Sequence, residues 1–203
     1  MDQFTQSFLL IFVLLNPFIL SVYLLSLIKS SEQRVFNSLM LRAGMISFVV
    51  FFMFAWLGEV IFDNVLQVRF LSFMIFGGIT FLIIGVRLIL GIGPPVEIAN
   101  PNSREIAGAI AMPFIVGPGT ISASVLAGTR LGLVGSTLCI LLGLGCAIGA
   151  IILFKWLHDY VQPRKEKYVE RYVEIAGRIT ALFTGSFAID MILRGLERWQ
   201  ATL

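Results

Sequence analysis

Two short stretches of this 203-residue chain combine helix-breaking residues with hydroxyls. One is Asn16-Pro17, followed by Ser21; the other is Gly117-Pro118-Gly119-Thr120, followed by Ser122. Each interrupts an apolar run that carries no charge. Proline removes a backbone N–H and clashes with the preceding turn, and glycine releases the backbone. A helix restarted after such a break presents free N–H groups and the positive end of its dipole. That end suits a carboxylate or another small anion, and the hydroxyls of Ser21, Thr120 and Ser122 would add donors. In hydrocarbon each freed polar group is costly unless it finds a partner. Breaks are therefore tolerated where they line a cavity or are buried in protein. Asn16, Pro17, Ser21, Gly117, Pro118, Gly119, Thr120 and Ser122 are accordingly the candidate substrate-binding residues. The plainer alternative is a pair of structural kinks, and two breaks at matching positions weigh against it.

Ionisable groups at membrane depth are functional hypotheses by default. Asp190 is the best of them here, as a group that could carry a coupling proton. The plainer reading, and the favoured one, pairs it with Arg194 one helical turn on. Glu59 is expected at the outer interface, Arg42 and Arg87 are expected to snorkel to the cytoplasmic surface, and His158 is expected to be solvated at a loop border. The chain has no His-Glu-x-x-His helix, no Gly-x-Ser-x-Gly turn and no paired membrane aspartates, so no catalytic residue is assigned. Cys139 and Cys146 have no metal-site spacing and read as reduced packing residues. Neither a metal nor a cofactor is expected.

The elements that must position these residues follow from composition. Hydrophobic residues make up 58% and charged residues 13%, with a mean hydropathy of +0.93. A soluble domain of this size needs a more polar surface, so much of the chain faces lipid. The net charge of +3 reads as basic loops on the cytoplasmic side rather than as a nucleic-acid surface. The apolar runs are Phe4 to Ile28, Ala43 to Gly58, Phe70 to Val86, Ile106 to Thr129, Leu131 to Phe154, and a sixth extending from Ile175 to Leu196. Six spans leave no room for a soluble module. Alternate loops hold eleven and four Lys or Arg residues, which places both termini outside the cytoplasm. Lys155 and five further basic residues of the fifth loop carry much of that count. The opening Met1-Asp2-Gln3 lacks the basic start of a signal peptide, so the first run reads as a retained span.

The halves repeat. Shifting the chain by 101 residues lays Asn16-Pro17 on Gly117-Pro118 and Ser21 on Ser122. A shift of 100 lays Gly77, Thr80 and Gly85 on Gly177, Thr180 and Gly185. Three spans per half make the halves enter the membrane in opposite directions. The expected fold is an all-α polytopic membrane protein of six transmembrane helices, two inverted three-helix repeats with broken first and fourth helices. Residues 1–203 form a single membrane domain: repeat one about 4–91, a loop 92–105, repeat two about 106–198.

Residues 111–122, read Ala-Met-Pro-Phe-Ile-Val-Gly-Pro-Gly-Thr-Ile-Ser, closely resemble the signature of the MarC-type (UPF0056-like) integral membrane protein family. Asn16-Pro17 resembles its first-helix signature, Gly77-Gly78-Ile79 its third-helix double glycine, and Arg178-Ile179 the start of its sixth helix. The resemblance runs over nearly the whole chain. It departs from the family pattern at Met74, where arginine is common, at Ala181, where glycine is common, and in the more apolar residues after Asn16-Pro17. The resemblance implies a bacterial or archaeal inner-membrane protein, multi-pass, and some relatives are described as small neutral amino-acid transporters.

The expected function is therefore secondary transport of small neutral amino acids or similar small metabolites across the inner membrane. The expected partners are that small-molecule substrate and the lipid bilayer, with no nucleic acid and with homo-oligomerisation left open. The rival readings are a translocator of lipid or lipid-linked intermediates and a non-transporting membrane assembly subunit. An intramembrane enzyme is set aside for want of a catalytic motif.

Overall fold

The computed structural model describes residues 2–58, 60–62, 69–90, 106–160 and 166–200. Glu59, Arg104, Arg164, Lys165 and the 92–105 loop lie outside the described residues. The described chain is helical, with no strand: α1 (Gln3–Leu15), α2 (Pro17–Tyr23), α3 (Leu25–Ser30), α4 (Gln33–Leu57), α5 (Phe70–Ile89), α6 (Ile106–Ile110), a π-helical turn (Ala111–Ile115), α7 (Pro118–Tyr160) and α8 (Glu166–Gln200). Among the described residues four helical stretches are long and apolar enough to cross a membrane, at Gln3–Ser21 (α1 continuing across the break into α2), Gln33–Leu57, Phe70–Arg87 and Pro118–Tyr160.

Six spans were expected; the sixth, in α8, is not among the four candidate membrane helices, and the fourth and fifth apolar runs meet within α7. At 1.5 Å per residue an unbroken helix of that length would reach roughly 65 Å, about twice the hydrocarbon thickness. The backbone leaves the helical region at Gly132, with φ +66° and ψ −176°. Only glycine adopts that combination readily, so the sequence places the turn where the two apolar runs adjoin.

The core joins α1 and α4 to α6 and α7. Ile11, Phe36 and Phe51 meet Ile110, Ile140 and Ile151, all of them fully buried. The opposite faces of the helices are apolar and exposed. On α4 they form the stripe Leu41, Met45, Val49, Met53 at four-residue spacing, closed by Trp56. In water such a surface would drive aggregation; against acyl chains it is the expected finish.

Helices α5 and α8 run antiparallel and close. A Cβ on Gly78 would come 2.7 Å from the Ala188 carbonyl oxygen, one on Gly85 3.3 Å from that of Ala181, and one on Gly195 2.5 Å from Ile75. Small residues replace hydrophobic drive as the reason two helices associate in lipid. Elsewhere α1 packs on α7, with Ile11 against Gly143, while α6 and the π turn pack on α4.

One group of charges departs from expectation. Lys155 is no loop cation: it lies within α7, is 2% exposed, and binds both carboxylate oxygens of Asp159 at 2.7 and 2.8 Å. His158 is largely buried beside it rather than solvated, its Nδ1 3.4 Å from Asp159. The helix simply continues past the end of the charge-free run, carrying Lys155 into the packed region while Asp159 stays exposed.

Candidate functional site

At the first break Asn16 ends α1 in the left-handed region, at φ +43°. Asparagine tolerates this conformation better than most side chains, and the following proline disfavours an α-helical residue before it. Pro17 opens α2, where its missing N–H is no loss. Asn16 serves both helix ends. Its N–H donates to the Phe12 carbonyl at 3.1 Å, and its carbonyl accepts from the Leu20 N–H at 3.1 Å. Its Oδ1 accepts from the Ile19 N–H at 3.2 Å, and its Nδ2 donates to Thr184 Oγ1 of α8 at 3.1 Å. The Ser21 hydroxyl donates to the Pro17 carbonyl at 2.7 Å. Asn16, Pro17 and Ser21 are all buried.

The second break is wider. Pro113 favours an extended residue before it, and Met112 is extended, at φ −119° and ψ 123°. The Val116 N–H then reaches back to the Ala111 carbonyl at 2.8 Å. The buried Thr120 hydroxyl bridges the gap, accepting from the Gly117 N–H at 2.9 Å and offering its own proton to the carbonyls of Ile115 at 3.0 Å and Gly117 at 2.9 Å. Pro118 has no N–H, and Gly117 has no side chain with which to cap α7. The N–H groups of Gly119 and Thr120 meet no acceptor among the described residues. Ser122 is also unlike its neighbour: Ser124 donates to the Thr120 carbonyl at 2.8 Å, whereas the shielded Ser122 hydroxyl has no partner.

Gly119 and Ser122 border a cavity of about 160 Å³ between α1, α5, α7 and α8. Its apolar wall includes Leu10 and Leu14 of α1 and Phe70 and Met74 of α5; its charged lining is Arg130, Asp190 and Arg194. From Gly119 to Arg130 the cavity follows three turns of α7, roughly 16 Å. Asp190 Oδ2 accepts from Arg194 Nε at 2.7 Å, and both side chains are at least half exposed. The pairing reading of Asp190 is the one the geometry realises. A Cβ at Gly119 would run into the Phe81 ring, so the opening of α7 can lie close to α5 only as glycine.

Of the candidates read from the sequence, Gly119, Ser122 and Asp190 share this cavity. Asn16, Pro17, Ser21, Gly117, Pro118 and Thr120 do not line it; they build the two breaks. Each break is seated on a third helix: Asn16 on Thr184 of α8, and Pro118 against Gly77 of α5. Sequence reasoning did not place Arg130 at the site, having counted it only as a loop charge. Its signal was available: it is a cation at the edge of an apolar run, eleven residues after Gly119. Thr184 as the partner of Asn16 had no local signal. Among the described residues no three His, Cys, Asp or Glu side chains gather as a metal site would require.

Comparison with known proteins gives this architecture a family. The family model described as MarC family integral membrane protein matches residues 1–200. A UPF0056 membrane protein of Pyrococcus horikoshii is 21% identical over 197 residues, covering 96% of this chain and 94% of the relative. A UPF0056 membrane protein of Archaeoglobus fulgidus is 26% identical over 200 residues, covering 95% and 92%. No solved structure matches. A family match that spans both breaks, the cavity wall and the charged lining leaves one assignment: the chain belongs to the MarC family of integral membrane proteins.

Proposed function

We propose that the protein is a secondary transporter of small neutral amino acids or similar small metabolites. The observation that carries the reading is the cavity itself. It joins an uncapped helix start within the apolar region, at Gly119, to an unpartnered hydroxyl on Ser122 and a charged lining of Arg130, Asp190 and Arg194. Pockets for drug-sized ligands run to about 300–1,000 Å³; at about 160 Å³ this one suits a much smaller solute.

In this reading the six-helix inverted repeat is the moving frame. Its support is the crossed packing. The first helix of each half lies on the second helix of the other half, α1 on α7 and α6 on α4. Each break is held by the third helix of the other half, through Asn16 with Thr184 and Pro118 with Gly77. The antiparallel α5 and α8 meet through small residues. Rocking one half against the other would alternate access to the cavity. In the same reading the chain sits in the inner membrane with both termini outside the cytoplasm; the excess of Lys and Arg in alternate loops of the sequence supports that orientation.

The test is substrate counterflow in proteoliposomes that hold the purified protein alone, across glycine, alanine, serine and a few bulkier or charged amino acids. Saturable exchange confined to the small neutral ones is the expected result. Silence across the panel from folded, inserted protein would defeat the reading and leave lipid translocation or an assembly role.

A further inference from the structure

We propose that Arg130 is the carboxylate anchor of the cavity and that Asp190, held in place by Arg194, accepts the ammonium of the same ligand. The cavity then selects small zwitterions over ions of equal size that carry a single charge. This deepens the transporter reading of the same cavity and rests on it.

Two cations and one anion line the cavity, leaving one positive charge uncompensated. The Asp190–Arg194 ion pair accounts for one of the cations. Arg130 has no carboxylate partner among the described residues. An arginine bordering the apolar region is costly unless it reaches water or an anion. Its planar fork matches a carboxylate with two parallel N–H donors. The other cation is already oriented: Arg194 engages Asp190 through Nε at Oδ2. A carboxylate has lone pairs on both oxygens, and Asp190 is half exposed, so it keeps acceptor capacity toward the cavity. The Ser122 hydroxyl lies on the same wall without a partner. A carboxylate and an ammonium on one small solute would complete the groups that the protein leaves incomplete. The competing account of Arg130 is snorkelling to the interface, with no role in binding.

Three probes of similar size separate the contributions: glycine carries both charges, acetate only the carboxylate, and methylammonium only the cation. The experiment is ligand-dependent thermal stabilisation of the detergent-purified full chain, which reads binding without transport. Glycine is expected to raise Tm at concentrations where acetate and methylammonium do not. Arg130→Gln is expected to weaken glycine binding about tenfold or more, the scale of a hydrogen bond to a charged group. Arg130→Lys should recover part of the loss, keeping the charge without the fork. Asp190→Asn should reverse the preference, so that acetate binds better than glycine; a merely structural role for Asp190 would weaken both alike. Wild-type affinity in Arg130→Gln would establish snorkelling and overturn the proposal, as would an unchanged preference in Asp190→Asn. Should Asp190→Asn fail to fold, the arginine variants decide alone. If no probe moves the wild-type Tm, the zwitterion site is refuted, and counterflow on the same preparation separately shows whether transport of another solute stands.

Discussion

The break at Asn16 and the break at Gly117 interrupt helices at positions 101 residues apart, yet their polar groups have different fates. At the first, one asparagine side chain caps α2, ties the break to α8, and tolerates the left-handed turn that separates the helices. At the second, a threonine hydroxyl bridges the backbone gap, and glycine leaves the start of α7 uncapped beside a cavity. Both obey the rule that backbone polar groups in hydrocarbon must be satisfied. The first does so largely through Asn16, whose side chain and carbonyl take up the Ile19 and Leu20 N–H groups. The second leaves N–H groups for something else, water or solute. A matched pair of breaks thus divides into an anchored one and an open one, and only the open one borders the cavity.

That division can be broken by substitution, most severely at the anchored break. Asn16→Ala removes the cap on Ile19 and the bond to Thr184, and it places an alanine at positive φ. The cap is worth about 1 kcal/mol and the left-handed conformation costs roughly 1–2 kcal/mol. A loss near 3 kcal/mol is expected, read as a lowered unfolding midpoint in mixed micelles. Transport per folded molecule should persist; selective loss of transport at normal stability would instead make the first break part of the site.

Thr120→Val comes next. It preserves shape but leaves the Gly117 N–H and the Ile115 carbonyl without their bridge. An unsatisfied buried group costs about 1–3 kcal/mol, so a loss of roughly 2 kcal/mol is expected by the same measurement. Stability equal to wild type would mean that water closes this gap, and that the second break is wetter than its hydrogen bonds indicate. Thr184→Val has a smaller effect, with about 1 kcal/mol from the hydrogen bond to Asn16. Combined with Asn16→Ala it should cost less than the sum of the two single changes, because the Asn16–Thr184 bond is lost in both. Full additivity would mean that the two side chains act independently and that the first break is not anchored through α8.

Much of the frame was legible in the sequence because lipid restricts the alternatives. Charge-free runs become helices, and Asn-Pro and Gly-Pro-Gly can only interrupt them. The border of two runs was legible at Arg130, two residues before the turn at Gly132. What escaped was set by tertiary packing. Asn16 takes its last partner from a residue 168 positions away, and no local pattern encodes that pair. The division of labour between the breaks was hidden for the same reason: both carry helix breakers, and only the side chains that fold over them decide which stays open. Arg130 was visible as a charge but not as a lining residue, because its neighbours come from α1, α5 and α8. Lys155 was misplaced because a charge after an apolar run resembles a loop, whereas here Asp159, one turn on, allows it to remain buried.

The smallest expected change in stability is the most informative about function. Ser122→Ala removes a hydroxyl that makes no hydrogen bond within the protein, so nothing is left unsatisfied and the unfolding midpoint should move by less than about 0.5 kcal/mol. The equivalent change at Ser124 removes a bond to the Thr120 carbonyl and should cost about 1 kcal/mol. Solute binding should rank them the other way. Ser122→Ala is expected to raise the KM for counterflow about fivefold, in keeping with the loss of roughly 1 kcal/mol of hydrogen bonding to the solute, while Ser124→Ala leaves it unchanged. Equal KM values for the two variants would remove Ser122 from the site and leave the second break open toward water alone.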